Sequence, residues 1–151
     1  MKQRLDATFE RIETIDSSAL ELKSDFAKYL CILVSGYIER AIAEIVQEHA
    51  RLNGSPTLQK FVEARTNRTV SANPQKIIDL LGSFNKEWRH KIEEFLSGDQ
   101  GAAVGTIVSN RHQIAHGRES QITYSEVRNY YKKSQNLIVR VQELCLGGSS
   151  V

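Results

Sequence analysis

The sequence predicts an all-α fold, an up-and-down bundle of four principal helices with short additional helices. Apolar residues recur at helical spacing along nearly all of the 151 residues, and no segment alternates apolar and polar residues as a strand does. The only prolines, Pro56 and Pro74, stand where helical segments begin. We expect one domain over residues 1–146, followed by a flexible glycine- and serine-rich tail over residues 147–151.

Local signals place the individual helices. The first four predicted helices cover residues 2–15, 19–52, 56–64 and 74–96, the last with a bend near Gly82 and Ser83. A fifth helix is capped by Asp99 and ends at Gly117, and the capping box Thr123-x-x-Glu126 begins the sixth. The second of these would be about 50 Å long, at 1.5 Å per residue, and would form the centre of the molecule. The helix after Asp99 is rich in glycine and alanine, so it can approach a neighbouring helix closely.

Composition argues against several classes of protein. No run of eighteen apolar residues exists and the first twenty residues lack a signal-peptide core, so we expect a cytoplasmic protein that does not enter membranes. Cys31 lies in the apolar run 29–34 and Cys145 on the apolar stripe of the last helix, where a thiol acts as a small hydrophobic group, which we favour over a disulfide. Phosphate-binding glycine loops, dinucleotide-binding motifs and serine-esterase motifs are missing, and we expect no cofactor.

The charge is unevenly distributed although the net charge is only +2. Residues 1–48 carry six Lys or Arg against nine Asp or Glu, whereas residues 111–140 carry six against two. This basic segment fits either a solvated helix face or a phosphate-binding surface.

The basic segment begins with the pattern most suggestive of chemistry, Ser109-Asn110-Arg111-His112-Gln113-Ile114-Ala115-His116-Gly117. Arginine is always cationic and holds phosphate, and histidine transfers protons near neutral pH, so the pattern suits phosphodiester cleavage. Helical spacing puts His112 and His116 on one face. At the end of the helix, His116 would also meet the negative end of the helix dipole, which favours a protonated ring and hence a general acid.

The spacing Arg111-x4-His116, with the polar His112 after the arginine, resembles the R-x4-6-H signature of the HEPN superfamily, and the wording N-R-H-x-I-A-H-G is most similar to its RiboL-PSP-HEPN branch. The resemblance implies an all-α, metal-independent endoribonuclease of the toxin–antitoxin or phage-defence type, which pairs two motifs in a homodimer. It also leaves open an inactive binding module for nucleic acid, nucleotide or protein, or a structural partner within a larger complex.

On this interpretation Arg111 would bind the phosphate and His116 would act as acid or base in attack by the RNA 2′-hydroxyl. His112 and Asn110 would position one or the other, and Arg118 would help to bind substrate. The resembling families often carry an acid where Glu39 stands, and it would hold a motif side chain in place, although an ordinary ion pair remains open. The expected partners are RNA, a second copy of the chain, and an antitoxin or defence-system protein.

The histidines also permit other interpretations. His112, His116 and Glu119 have a spacing that could hold zinc, but no further Cys/His cluster completes such a site, and we expect no metal. His49 and His90 stand alone among charged residues and are expected to face solvent.

Overall fold

A computed structural model describes residues 1–68 and 70–147, in which there are seven helices and no strand. The helices are α1 (Lys2–Glu13), α2 (Leu20–Asn53), α3 (Pro56–Thr66), α4 (Pro74–Phe84), α5 (Lys86–Leu96), α6 (Asp99–Ala115) and α7 (Tyr124–Leu146). The all-α prediction is confirmed. Of the predicted tail at 147–151, residues 148–151 lie outside the described residues.

The long helix α2 forms the centre of the bundle, as its length predicts. Its buried side chains include Leu30, Val34, Ile38, Ile42 and Val46, which recur every four residues and share one core with residues of α1, α4, α5, α6 and α7. No helix within the described ranges is long and apolar enough to cross a membrane.

Helix α7 runs in the same direction as α2. The ring of Tyr131 packs edge-on against Tyr37 of α2, with 5.7 Å between centroids, and His49 of α2 lies beside the carbonyl group of Cys145 near the end of α7. Helix α6 runs the opposite way, because the hydrogen bond from Ser120 to Asn110 folds the connecting segment back onto the end of α6, so α7 begins beside that end.

Helix α1 packs antiparallel to α2 and is fastened to α7. The Tyr131 hydroxyl donates a hydrogen bond to Asp6 at 2.6 Å, and Arg128 forms an ion pair with Glu13 at 2.6 Å. Burial raises the pKa of Tyr131, so its hydroxyl keeps its proton and remains a donor. At the other end of α1, Met1 lies next to Gly36 of α2.

The segment predicted as one bent helix over residues 74–96 is in fact two helices, and the break is at Asn85 rather than near Gly82 and Ser83. Asn85 has extended backbone angles (φ −157°, ψ 129°), and its side-chain oxygen accepts hydrogen bonds from the backbone N–H groups of Glu87 and Trp88. The side chain therefore begins α5 directly where α4 ends, and this capping outweighs the continuous apolar period.

The start of α6 also differs from the prediction. Asp99 is its first helical residue and not its cap, since the capping position belongs to Gly98 and no side chain caps the helix there. The turn from α5 into α6 is close-packed: a Cβ atom at Gly101 would lie 1.8 Å from the carbonyl oxygen of Leu96. Gly101 therefore allows the first turn of α6 to pack closely against the end of α5.

Candidate functional site

Helix α6 ends at Ala115 in a glycine-dependent cap that fixes the position of His116. Gly117 has φ +67°, its N–H donates to Ile114 O at 3.1 Å, and the N–H of Arg118 donates to Gln113 O at 2.9 Å. These two bonds form a Schellman motif, which uses the left-handed conformation that glycine adopts without strain. The predicted stop at Gly117 is confirmed, with His116 as the last residue before it.

The rings of His112 and His116 lie against each other, with centroids 4.4 Å apart and planes inclined at 63°. Both side chains are exposed and accessible to solvent. The His116 backbone (φ −93°, ψ 12°) is in the bridge region of the conformational map, where active-site residues are often found. The predicted common face is confirmed, and two groups able to transfer protons are adjacent within one chain.

Arg111 directly precedes His112 in the sequence, and Arg118 follows His116 by two residues. Both are exposed, and neither takes part in any ion pair among the described residues. An unpaired guanidinium keeps its donors available for the oxygens of a phosphate. The end of α6 is thus a cationic surface with two histidines in it.

Asn110 connects the motif helix to the loop that follows it. Its side-chain amide donates to Thr106 O at 2.9 Å, and its oxygen accepts a hydrogen bond from the hydroxyl of Ser120 at 2.7 Å. Ser120 is buried, so this bond holds the loop after Gly117 against α6. Asn110 is a positioning residue for the loop that carries Arg118. The role of Ser120 is not predictable, because a lone loop serine gives no signal in the sequence.

Cys31 anchors the motif helix to α2. Its thiol lies 3.4 Å from the carbonyl oxygen of Ile107, one turn before Arg111. Burial raises the pKa of Cys31 to about 12, so the thiol stays protonated and is not a nucleophile at neutral pH. Burial likewise raises the pKa of Cys145 to about 12, and both cysteines are free, as their apolar settings predict.

The structure does not bring Glu39 to the motif. Glu39 lies two turns beyond Cys31 on α2, which runs opposite to α6, so it lies away from the end of α6. It lines a recess with the loop after α3, including Asn67 and Arg68, and has no hydrogen bond or ion pair with Arg111, His112 or His116. The ion pair in this part of α2 joins Arg40 to Glu44 instead.

The remaining histidine predictions have different outcomes. Glu119 does not join His112 and His116 as a third ligand, since the described residues contain no group of three His, Cys, Asp or Glu side chains placed to hold a metal. His49 does not face solvent: it is half-buried, with Trp88 and Phe84 edge-on to its ring, and its Nδ1–H donates to Cys145 O at 2.7 Å. That bond pairs a carbonyl group at the end of α7 and gives His49 a structural role. His90 is exposed.

The family model described as RiboL-PSP-HEPN matches residues 3–146, which include both α2 and the complete motif. The chain belongs to the RiboL-PSP-HEPN family. The match extends over nearly the whole helical bundle, so membership rests on most of the sequence and not only on the short Arg111-x4-His116 signature. No curated protein and no solved structure matches the chain significantly.

Proposed function

We propose that the protein is a metal-independent endoribonuclease of the toxin or antiphage-defence type. The observation that carries the proposal is the exposed pair of histidine rings, 4.4 Å apart, on the last turn of α6 that also carries the exposed Arg111. RNA supplies its own nucleophile, the 2′-hydroxyl, so an enzyme needs only proton transfer and stabilisation of charge on the phosphate. Membership of the RiboL-PSP-HEPN family supports an RNA-related activity.

Each side chain then has a defined step. One histidine accepts the proton of the 2′-hydroxyl as its oxygen attacks the adjacent phosphorus, and a protonated histidine donates a proton to the departing 5′-oxygen. Arg111 binds the non-bridging oxygens, on which negative charge accumulates in the transition state. The products are a 2′,3′-cyclic phosphate and a 5′-hydroxyl. Arg118, exposed on the same surface, binds a neighbouring phosphate of the strand.

We further propose that two chains combine their motifs in a homodimer through α6. Small residues, Ala102, Gly105 and Ser109, precede His112 and His116 at alternating spacings of three and four, as in a helix–helix seam. The side of Gly105 is open, since a Cβ atom there would meet only Pro74, at 4.0 Å. Two copies of α6 could thus approach across a two-fold axis and bring both Arg/His sets together.

Assembly is tested by the mass in solution. Light scattering should give about 34 kDa, twice the 17.1 kDa of one chain. Gly105→Gln places a bulky neutral side chain in the seam and should shift the protein towards monomer, whereas Glu94→Gln on exposed α5 should leave it dimeric. A monomer at tens of micromolar for the unsubstituted chain would refute the composite site and leave the single-chain histidine pair as the catalytic unit.

The activity is tested with single-stranded RNA in the presence of EDTA. We expect cleavage with 2′,3′-cyclic phosphate ends, identified by mass spectrometry, and no cleavage of DNA of the same sequence. Activity that chelator abolishes and zinc or magnesium restores would contradict the proposed mechanism.

A binding module without catalytic activity is the second candidate, and the same cationic surface favours it. Such a protein would bind RNA or an acidic partner through Arg111 and Arg118 but would leave the RNA intact. An antitoxin or defence-system protein that covers the end of α6 is a partner compatible with either candidate, because it would block access to both histidines.

A further inference from the structure

A groove of about 730 Å³ lies between α1 and the first half of α2, away from the motif helix. One wall is formed by α1, with Arg4, Thr8 and Arg11, and the other wall by Tyr29 and Leu33 of α2. The two helices are antiparallel and in contact, so the groove is a built feature of the bundle and not a gap beside a loop. Neither the sequence pattern nor the family match assigns it a role.

The groove is positively charged and contains no acid. Arg4 and Arg11 take part in no ion pair among the described residues, and no carboxylate lines the groove. The hydroxyl of Thr8 accepts a hydrogen bond from Arg11 at 3.1 Å and donates one to Arg4 O at 2.8 Å. Two arginines seven residues apart lie on one face of α1, about 10 Å apart along its axis, so they can hold two separate phosphates.

The facing wall presents an aromatic ring. Tyr29 is 51% exposed, whereas Tyr37, two turns further along α2, is 7% exposed within the core. An exposed aromatic ring beside unpaired cations is the arrangement by which single-stranded nucleic acids are bound, because every base can stack on a ring whatever its sequence. The groove thus offers both contacts that a single strand needs.

Helix α2 lies between the groove and the motif helix α6. Cys31 of α2 contacts α6 at Ile107, one turn before Arg111. Tyr29 precedes Cys31 by two residues, so at about 100° per residue the two side chains point about 200° apart around α2. The groove therefore lies on the side of α2 opposite to its contact with α6, so at least one helix diameter, about 10–12 Å, separates the groove from the motif. Between them the surface of α2 carries Lys28 and the partly exposed Ile32. One strand of RNA can reach both places.

We propose that the groove between α1 and α2 is a second RNA-binding site, which holds single-stranded RNA at a distance from the motif without reading its sequence. Arg4 and Arg11 bind phosphates and Tyr29 stacks on a base. This proposal rests on the proposed function, from which we take RNA as the ligand. It extends that function, because a strand long enough to occupy both the groove and the motif would bind more tightly than a short fragment.

Binding is measured by fluorescence anisotropy with a long, labelled single-stranded RNA in EDTA, in a His116→Ala background that keeps the RNA intact. Arg4→Gln/Arg11→Gln should weaken binding about 10-fold or more. The magnitude of the slope of log K against log salt concentration should fall by about 1.4, since each of the two phosphate contacts that are lost contributes about 0.7. Tyr29→Ala should weaken binding about 5-fold or more, because a base can no longer stack there. The matched control, Arg51→Gln/Arg140→Gln, removes two arginines that are paired with Glu48 and Glu143 and should stay within about 2-fold of the parent.

Two further readouts separate a binding role from a structural one. Arg4→Lys/Arg11→Lys keeps the charges and should restore most of the affinity, and thermal unfolding should show each variant folded. Cleavage of a dinucleoside phosphate, which is too short to reach the groove, should be unchanged in the otherwise unsubstituted protein carrying Arg4→Gln/Arg11→Gln.

The outcomes distinguish this proposal from the proposed function. Groove variants that bind long RNA as the parent does, with the same salt slope, overturn the second site while leaving cleavage at the motif untouched. A protein that loses RNA affinity in the groove variants but cuts no RNA keeps the second site and loses the nuclease assignment.

Discussion

His116→Ala is expected to slow RNA cleavage about 100-fold or more, because proton transfer by a positioned side chain contributes on that scale. Its affinity for RNA should change little, since Arg111 and Arg118 remain exposed and unpaired at the end of α6. Single-turnover cleavage in EDTA measures the first effect, and anisotropy with a DNA strand that cannot be cut measures the second.

Arg111→Ala should impair both steps, and this contrast separates chemistry from binding. Removing the guanidinium takes away a phosphate contact and the stabilisation of transition-state charge, so affinity, salt slope and cleavage rate should all fall. His90→Ala is the matched control, an exposed histidine on α5 outside the motif, and should retain the parent's rate. A folded His116→Ala protein that cleaves RNA as fast as the parent would end the nuclease assignment for this site.

Gly101→Ala should be the most damaging of the glycine substitutions to stability. The new Cβ atom would lie 1.8 Å from the Leu96 carbonyl oxygen and 2.8 Å from its carbon, both in backbone that cannot rotate away. The junction of α5 and α6 would have to shift, which we expect to cost about 3 kcal/mol, at the upper end of overpacking effects. For a chain of this size that corresponds to a loss of about 6–12 °C in Tm, measurable by calorimetry or circular dichroism.

Gly36→Ala in α2, away from the proposed dimer seam, provides the comparison. Its Cβ atom would meet only the end of the Met1 side chain, at 3.7 Å, so the helix gains the better propensity of alanine, about 0.5–1 kcal/mol. The two substitutions should therefore change Tm in opposite directions. Equal Tm values for the two variants would contradict the close approach of α5 and α6 at Gly101.

Local signals predict the parts of the site that depend on local chemistry. The end of α6 at Gly117 follows from glycine's tolerance of positive φ, and the facing rings of His112 and His116 follow from helical spacing. The environment of Glu39 is not predictable in this way. Whether it reaches Arg111 depends on how far α2 and α6 are shifted along each other, which is set by contacts such as Cys31 with Ile107 that no spacing within one helix encodes.

In the fold, too, features that depend on neighbouring residues are predictable, and features that depend on contacts between distant residues are not. The capping box at Thr123 and Glu126 is predictable and present, because both partners lie within three residues. The break between α4 and α5 at Asn85 could not be predicted, because the apolar period continues through it. The structural role of His49 could not be predicted either, because its partner Cys145 is distant in the sequence. The groove between α1 and α2 could not be predicted from the sequence, because Arg4, Arg11 and Tyr29 become neighbours only when the two helices pack together.

A DNA strand that contains one ribonucleotide, incubated with the protein in EDTA, tests the nucleophile and the need for a metal in one experiment. If the 2′-hydroxyl is the nucleophile and no metal takes part, the strand should be cut once, directly after the ribonucleotide, leaving a 2′,3′-cyclic phosphate and a 5′-hydroxyl. Cleavage at other positions, ends that carry a 5′-phosphate, or cleavage only after a divalent metal is added would contradict the account.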